Sequence, residues 1–154
     1  MLRALELKIP PPAQWLFFAV LTWLAVRLMP QCSFPFAGHR LLAVLLALAG
    51  MASGVLGLLA FRQAQTTFDP HRPQAARTVV SSGIYRHTRN PMYLGLALGL
   101  AAVALWWATP WGLLTLALFC LLLTRLQILP EERILQAKFG ADYAAYRQRV
   151  RRWL

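Results

Sequence analysis

The chain has 154 residues, 58% of them hydrophobic and 14% charged, and sixteen Lys and Arg residues against five Asp and Glu residues give a formal net charge of +11. The apolar residues occur in runs that are too long for the buried helices of a small soluble domain, so the composition indicates a protein of the lipid bilayer. The cations lie between these runs and not in one basic patch, which argues against a nucleic-acid partner.

Four apolar segments are predicted to be transmembrane helices, which makes the fold an all-α membrane bundle. In chain order they cover residues 15–29, 41–61, 93–108 and 111–129. At about 1.5 Å per residue, the first and third barely cross a hydrocarbon core of roughly 30 Å, so Trp106 and Trp107 should sit at the membrane interface. The residues after the first segment make no signal-peptide cleavage site, and we interpret that segment as a membrane anchor.

The third and fourth segments are predicted to form a tight antiparallel hairpin, because only residues 108–111 connect them. The hairpin brings Tyr93, at the start of the third segment, close to Glu131, just after the fourth. Two small-xxx-small pairs favour close helix packing in lipid, Gly50 with Gly54 and Gly95 with Gly99.

A C-terminal amphipathic helix is predicted over residues 131–153. Its apolar positions recur at helical spacing, at Leu135, Phe139, Tyr143, Tyr146, Val150 and Trp153. Its opposite face carries cations that suit anionic headgroups, at Lys138, Arg147, Arg149 and Arg151. Two interpretations stay open, an interfacial anchor and a lid over the cytoplasmic mouth of the bundle.

The distribution of cations predicts the topology of the chain. Thirteen of the sixteen Lys and Arg residues precede the first segment, lie between the second and third, or follow the fourth. The positive-inside rule therefore places both termini and the loop at residues 62–92 in the cytoplasm. We expect one multi-pass membrane domain over residues 1–154, in a bacterial inner membrane.

Cysteine and histidine do not point to a disulfide or a metal site. Cys32 falls in an outer loop and Cys120 in the middle of a span, so we expect no bond between them. The three histidines, His39, His71 and His87, are too scattered for a zinc site, and we expect no bound metal.

Polar motifs occur at the cytoplasmic ends of the hairpin. Residues 82–95 read Ser-Gly-Ile-Tyr-Arg-His-Thr-Arg-Asn-Pro-Met-Tyr-Leu-Gly, residues 130–132 read Pro-Glu-Glu, and residues 139–143 read Phe-Gly-Ala-Asp-Tyr. This pattern resembles the signature of the isoprenylcysteine carboxyl methyltransferase and phospholipid methyltransferase families. The resemblance covers residues 77–150 and implies methyl transfer from S-adenosylmethionine to an isoprenylcysteine-like carboxylate, a phospholipid amine or another small lipophile.

The resemblance also implies which residues hold the cofactor. Carried over by position, they are Arg77, Thr78, Val79, Val80, Tyr85, Arg89, Asn90, Pro91, Met92 and Tyr93. Arginine suits the cofactor carboxylate, and an aromatic face suits its sulfonium or adenine. Asn90 stands where the prenylcysteine enzymes commonly have histidine, and it keeps a donor and an acceptor but has no titratable ring.

On the substrate side the resemblance implies Glu131, with an arginine one helical turn earlier. Gln127 occupies that earlier position here, which weakens a prenylcysteine carboxylate as the substrate. Arg125 lies near the end of the span, where it can snorkel to the interface or pair with Glu132. The alternative for Glu131 and Glu132 is a purely structural one, since acidic residues stabilise a helix start. The candidates for catalysis are thus Glu131, Glu132, Gln127 and Arg125.

Two other classes of function stay open. The C-terminal region also looks similar to NADPH-dependent membrane reductases of the steroid-reductase type. Four short spans with small-residue faces are also compatible with a homo-oligomeric binding or transport protein, although the segments offer no ionisable residue near the bilayer midplane.

Overall fold

The computed structural model describes residues 5–65 and 78–154, and every regular element in these ranges is helical. Five helices follow in chain order, α1 Pro11–Leu28, α2 His39–Gln63, α3 Pro91–Trp106, α4 Trp111–Leu123 and α5 Leu129–Arg149. Short 3₁₀ turns at Pro30–Cys32 and Gly83–Arg86 interrupt the connections before α2 and α3. The predicted all-α class is confirmed.

Two helical stretches are long and apolar enough to cross a membrane. One is α2, and the other is Trp111–Arg149, in which a π turn at Thr124–Ile128 joins α4 to α5. The helix α3 is apolar and shorter. Large apolar side chains of α2, among them Leu41, Leu45 and Met51, are exposed, as expected for a surface that faces lipid.

The continuity of α4 and α5 corrects the expected division at Pro130. Proline has no N–H to donate to the carbonyl of Leu126, four residues earlier, and its ring would clash with that carbonyl in a regular helix. The π turn widens the helix just before Pro130. The freed Leu126 carbonyl instead accepts a hydrogen bond from Leu7 N at 2.9 Å. A segment before α1 thus satisfies the backbone that the proline leaves unpaired.

The C-terminal helix is also shorter and less regular than predicted. It ends at Arg149, and Val150 has extended backbone angles. Gly140 interrupts it with φ 50°, in the left-handed region that favours glycine. The stripe of Leu135, Phe139, Tyr143, Tyr146 and Val150 nevertheless packs into one cluster.

Glycines bring α2 and α3 into direct backbone contact. A Cβ on Gly50 would lie 2.7 Å from the carbonyl oxygen of Gly95, so this crossing admits no larger residue without a shift. On the other side of α3 a cluster that includes Phe18, Leu100 and Phe119 joins α1, α3 and α4. The bundle therefore holds the start of α3 in a fixed place next to the start of α5.

Candidate active site

The two polar motifs meet directly, through Tyr93 with Glu131 and through Arg89 with Glu132. Tyr93 lies in the first turn of α3 and Glu131 in the first turn of α5, and the hydroxyl of Tyr93 donates to Oε1 of Glu131. Tyr93 is buried in the cluster that includes Leu100 and Ile128, and this packing restricts its ring. The proximity expected from the hairpin is thus realised as a direct contact.

Burial changes the acidity of Glu131, which lies beyond the apolar segment that ends at Leu129. Burial raises its pKa to about 8, the hydrogen bond from Tyr93 lowers it, and the neighbouring Glu132 raises it further. A carboxyl group with such a pKa exchanges a proton near neutral pH. Glu131 is therefore suited to general acid or base chemistry, which its role at a helix start does not require.

Glu132 points to a different set of partners. Its carboxylate accepts hydrogen bonds from Arg89 Nη2 at 2.8 Å and from Arg152 Nε and Nη2 at 3.0 and 2.8 Å. The side chains of Glu132 and Arg89 are 7% and 9% exposed. This ion cluster carries one more positive than negative charge.

One hydrogen-bond donor of this ion cluster, on Arg89, is buried and unpaired within the described part of the chain. Arg89 Nε is buried and has no hydrogen-bond partner among the residues that the structure describes. A buried unpaired donor on a guanidinium is costly unless an anionic group completes it. The cluster therefore contains an unsatisfied cationic donor, the kind of group that binds a carboxylate or a phosphate.

Tyr85 lies in the 3₁₀ turn before α3, where aromatic residues enclose it. Its ring packs edge-on against Phe61 of α2, with centroids 5.4 Å apart, and its carbonyl accepts a hydrogen bond from Tyr146 Oη at 2.8 Å. Burial raises the pKa of the Tyr85 phenol, and Tyr146 and Glu131 act in the same direction. Val80 is buried against the same cluster, so a neutral, apolar wall forms on this side.

Asn90 is held by the segment that follows α5. Its Nδ2 donates to the carbonyl of Arg152 at 2.9 Å, and this bond does not use the amide oxygen, which is an acceptor. Pro91 occupies the first helical turn, where its missing N–H costs nothing, and its carbonyl accepts a bond from Ser53 Oγ at 2.7 Å.

Several predicted residues lie apart from this cluster. Gln127 is fully buried, but its Nε2 donates to the carbonyl of Ile9 at 3.0 Å. Arg125 is exposed, and the interpretation that pairs it with Glu132 is wrong, because Arg89 and Arg152 occupy that carboxylate. Arg77 lies outside the described residues.

The remaining predicted residues border the cluster. Thr78 is exposed, and Val79 packs against the Tyr143 cluster. Met92 faces α2, where a Cβ on Gly57 would approach its side chain. Within the described ranges, no group of three or more His, Cys, Asp or Glu side chains could hold a metal ion.

An apolar groove runs along the face of α3 that meets α2. It has a volume of about 650 Å³ and is lined by Trp15 of α1, by the face of α2 that includes Ala47 and Gly50, and by residues from Met92 to Trp107 in and just after α3. Met92 and Trp106 are separated by about 21 Å at the rise of an α-helix. Met92 lines the groove and is the sequence neighbour of Tyr93, but Tyr93 and Glu131 are not among the lining residues.

Sequence reasoning missed Arg152 and Tyr146 as parts of the site. Both were assigned to an amphipathic helix, whose periodicity indicates one buried face but not which residues that face meets. The excess of arginine over acidic partners at residues 147–152 was the one available signal.

Comparison with known proteins is consistent with this geometry. The model of the phospholipid methyltransferase family matches residues 39–142, more than half of the chain. An uncharacterised protein of Haemophilus influenzae is 44% identical over 63 residues, which is 41% of this chain and 100% of that protein. No solved structure matches the chain significantly.

Proposed function

The chain belongs to the phospholipid methyltransferase family, and we propose that it transfers a methyl group from S-adenosylmethionine to a lipophilic acceptor in the membrane. Membership implies a membrane methyltransferase that uses a methyl donor. The observation that carries the proposal is the hydrogen bond between Tyr93 and Glu131, because it joins the two motifs of the family signature in a direct contact.

The residues before and within the first turn of α3 fit the proposed methyl donor. When bound, S-adenosylmethionine supplies a methyl group that its sulfonium makes electrophilic. The unpaired Nε of Arg89 suits the donor carboxylate, and the amide oxygen of Asn90 suits a hydrogen-bond donor of the same ligand. Tyr85 and Val80 offer an apolar wall for the adenine. Arg77, Thr78, Val79, Pro91 and Met92 complete the proposed binding segment.

Glu131 is the proposed catalytic residue. An amine acceptor must lose a proton to become a nucleophile, and the ionised carboxylate of Glu131 can take that proton. Tyr93 orients the carboxylate by its hydrogen bond, so that the carboxylate is held in place for an acceptor. A carboxylate acceptor would arrive ionised and need no base, and Gln127 provides no cation to hold it.

The groove beside α3 is the proposed site of the acceptor's apolar chain. Its lining is apolar, and neighbouring leucines of α2 such as Leu45 and Leu48 are exposed, so we propose that a lipid enters from the bilayer without crossing water. About 21 Å of apolar length matches one extended acyl or prenyl chain better than a compact polar substrate.

The proposed membrane arrangement follows the sequence. Four spans would be formed by α1, α2, α3 and α4, with α5 at the cytoplasmic interface and both termini in the cytoplasm of a bacterium. Residues 1–154 would form one membrane domain of the inner membrane. The site would then draw its methyl donor from the cytoplasm and its acceptor from the inner leaflet, and close helix faces around Gly50 leave homo-oligomer formation open.

Two measurements on the detergent-solubilised protein test the proposal. Calorimetry should show binding of S-adenosylmethionine or its demethylated product, and tritium from the donor methyl group should move into a lipid extract. Binding of NADPH with no binding of either methyl-donor ligand would contradict the proposal in favour of a reductase. Absence of binding by all three would favour a binding or transport protein.

A further inference from the structure

The residues that follow α5 fold back on the residues that precede α3. Arg89 N donates to the carbonyl of Arg151 at 3.0 Å, Thr88 Oγ1 to the carbonyl of Arg152 at 3.3 Å, and Asn90 Nδ2 to the same Arg152 carbonyl at 2.9 Å. Every residue from 88 to 90 is thus bound to one of two adjacent carbonyl groups. We call residues 150–153 the C-terminal clamp.

The side chain of Arg152 ties the clamp to α5. Its Nε and Nη2 bind both oxygens of Glu132, at 3.0 and 2.8 Å, and Arg89 binds the same carboxylate from the other side. Two parallel hydrogen bonds between charged groups fix the orientation of the Arg152 guanidinium as well as its distance from the Glu132 carboxylate. The hydrogen bond to Glu132 raises the pKa of Arg152, so the cation persists at any working pH. The position of the clamp is therefore coupled to the position of Arg89.

A third contact joins the clamp to the apolar part of the site. Trp153 packs against the cluster that contains Tyr93. The clamp consequently contacts both the residues before Pro91 and the apolar cluster of which Tyr93 is a member. Residues 150–153 also lie outside the range that the family model matches.

We propose that Arg152 is a positioning residue, which acts through the C-terminal clamp to set the affinity of the site for the methyl donor. This inference rests on the proposed function. Arg152 fixes the guanidinium of Arg89 through Glu132, and its carbonyl fixes which end of the Asn90 amide faces the ligand. Because neither contact involves the Tyr93 and Glu131 pair, Arg152 acts on donor binding and not on the transfer step.

The test compares Arg152→Gln with Arg152→Lys and with Arg149→Gln. Arg149 is exposed, and within residues 5–65 and 78–154 its side chain bonds only to the carbonyl of Ala145 in its own helix, so its variant is the matched control. For Arg152→Gln we expect KM for S-adenosylmethionine to rise about tenfold, the effect of losing one hydrogen bond between charged groups, with kcat little changed. Arg152→Lys should recover part of the affinity, and Arg149→Gln should match the wild type.

Hydrogen exchange of the intact protein in detergent gives a second measurement that does not require activity. In Arg152→Gln the amide of Arg89 should exchange faster than in the wild type, because its acceptor on Arg151 is no longer held. The Arg149→Gln variant should leave that exchange unchanged.

The outcomes separate this inference from the proposed function. The role of Arg152 would be overturned if Arg152→Gln left KM for S-adenosylmethionine unchanged, or if it lowered kcat about tenfold at constant KM. It would also be overturned if Arg149→Gln raised KM as much as Arg152→Gln. A wild-type protein that neither binds nor transfers would overturn the proposed function itself. In that case the clamp can still be tested by hydrogen exchange. If the amide of Arg89 exchanged at the same rate in Arg152→Gln and Arg149→Gln, the inference about the clamp would be overturned whatever the activity of the protein.

Discussion

Replacing Glu131 by Gln tests the proposed base with the least structural change. The variant keeps the size of the side chain, and its amide oxygen can still accept the hydrogen bond from Tyr93. It removes only the ability to take a proton. If Glu131 is the general base, the rate of transfer to an amine acceptor should fall by about 10² to 10⁴, the usual contribution of such a group.

The structure predicts that this loss occurs without damage to the fold. Burial raises the pKa of Glu131 from the usual range of a glutamate to about 8, so the folded state favours the protonated form. The stability contributed by that form is fully present below the unfolded pKa and is lost as pH rises through the folded pKa. Glutamine imitates the protonated acid, so the melting temperature of the variant should not fall at neutral pH.

The assay measures tritium transfer and donor binding side by side. Binding of S-adenosylmethionine to Glu131→Gln should equal that of the wild type, because Glu131 is assigned to the acceptor. Asp142→Asn serves as the control, since Asp142 is an exposed acid of the same helix α5. Full turnover by Glu131→Gln, or a fall in melting temperature alone, would refute the base and leave Glu131 with a structural role at the helix start.

Three further expectations address pH, the groove and the topology. The rate of methyl transfer to an amine should increase as pH rises through about 8, where Glu131 loses its proton. This increase should be absent in Glu131→Gln. The same dependence of rate on pH in both proteins would assign the titrating group to another residue. Ala47→Phe fills the groove and should lower turnover of a long-chain acceptor more than that of a short-chain analogue, whereas Leu48→Phe, on the exposed face of α2, should lower neither. Reporter fusions should place both termini in the cytoplasm, and a C-terminus outside would remove the cytoplasmic source of the methyl donor.

The meeting of Tyr93 and Glu131 could be predicted from sequence because it follows from local facts. A four-residue connection forces α3 and α4 to lie side by side and antiparallel. The lengths of the two apolar segments then bring the start of α3 close to the residues that follow α4. The all-helical class follows in the same way from the length of the apolar runs.

The partners of Glu132 could not be predicted, because they depend on contacts between distant parts of the chain. Arg125 is near in sequence but exposed, whereas Arg152 reaches the carboxylate only because residues 150–153 turn back after α5. Helical periodicity places a residue on a face and does not say where a helix stops. The expected end at residue 153 was therefore wrong by four residues, since α5 ends at Arg149.

The passage of a helix through Pro130 has a similar cause. Proline near the end of an apolar run usually marks a boundary, and that rule predicted two helices. The helix continues because a π turn and the N–H of Leu7 together satisfy the Leu126 carbonyl. A donor more than a hundred residues away cannot be inferred from the residues around the proline.

The central claim is methyl transfer to a membrane lipophile at the Tyr93 and Glu131 pair. In the most direct measurement, the purified protein is incubated with a lipid extract and with S-adenosylmethionine that carries a deuterated methyl group. The masses of the lipids are then measured by mass spectrometry. We predict that one lipid class gains the mass of a single labelled methyl group with the wild type, and that Glu131→Gln produces almost none. An extract without any labelled lipid, while the protein demonstrably binds the donor, would contradict the account.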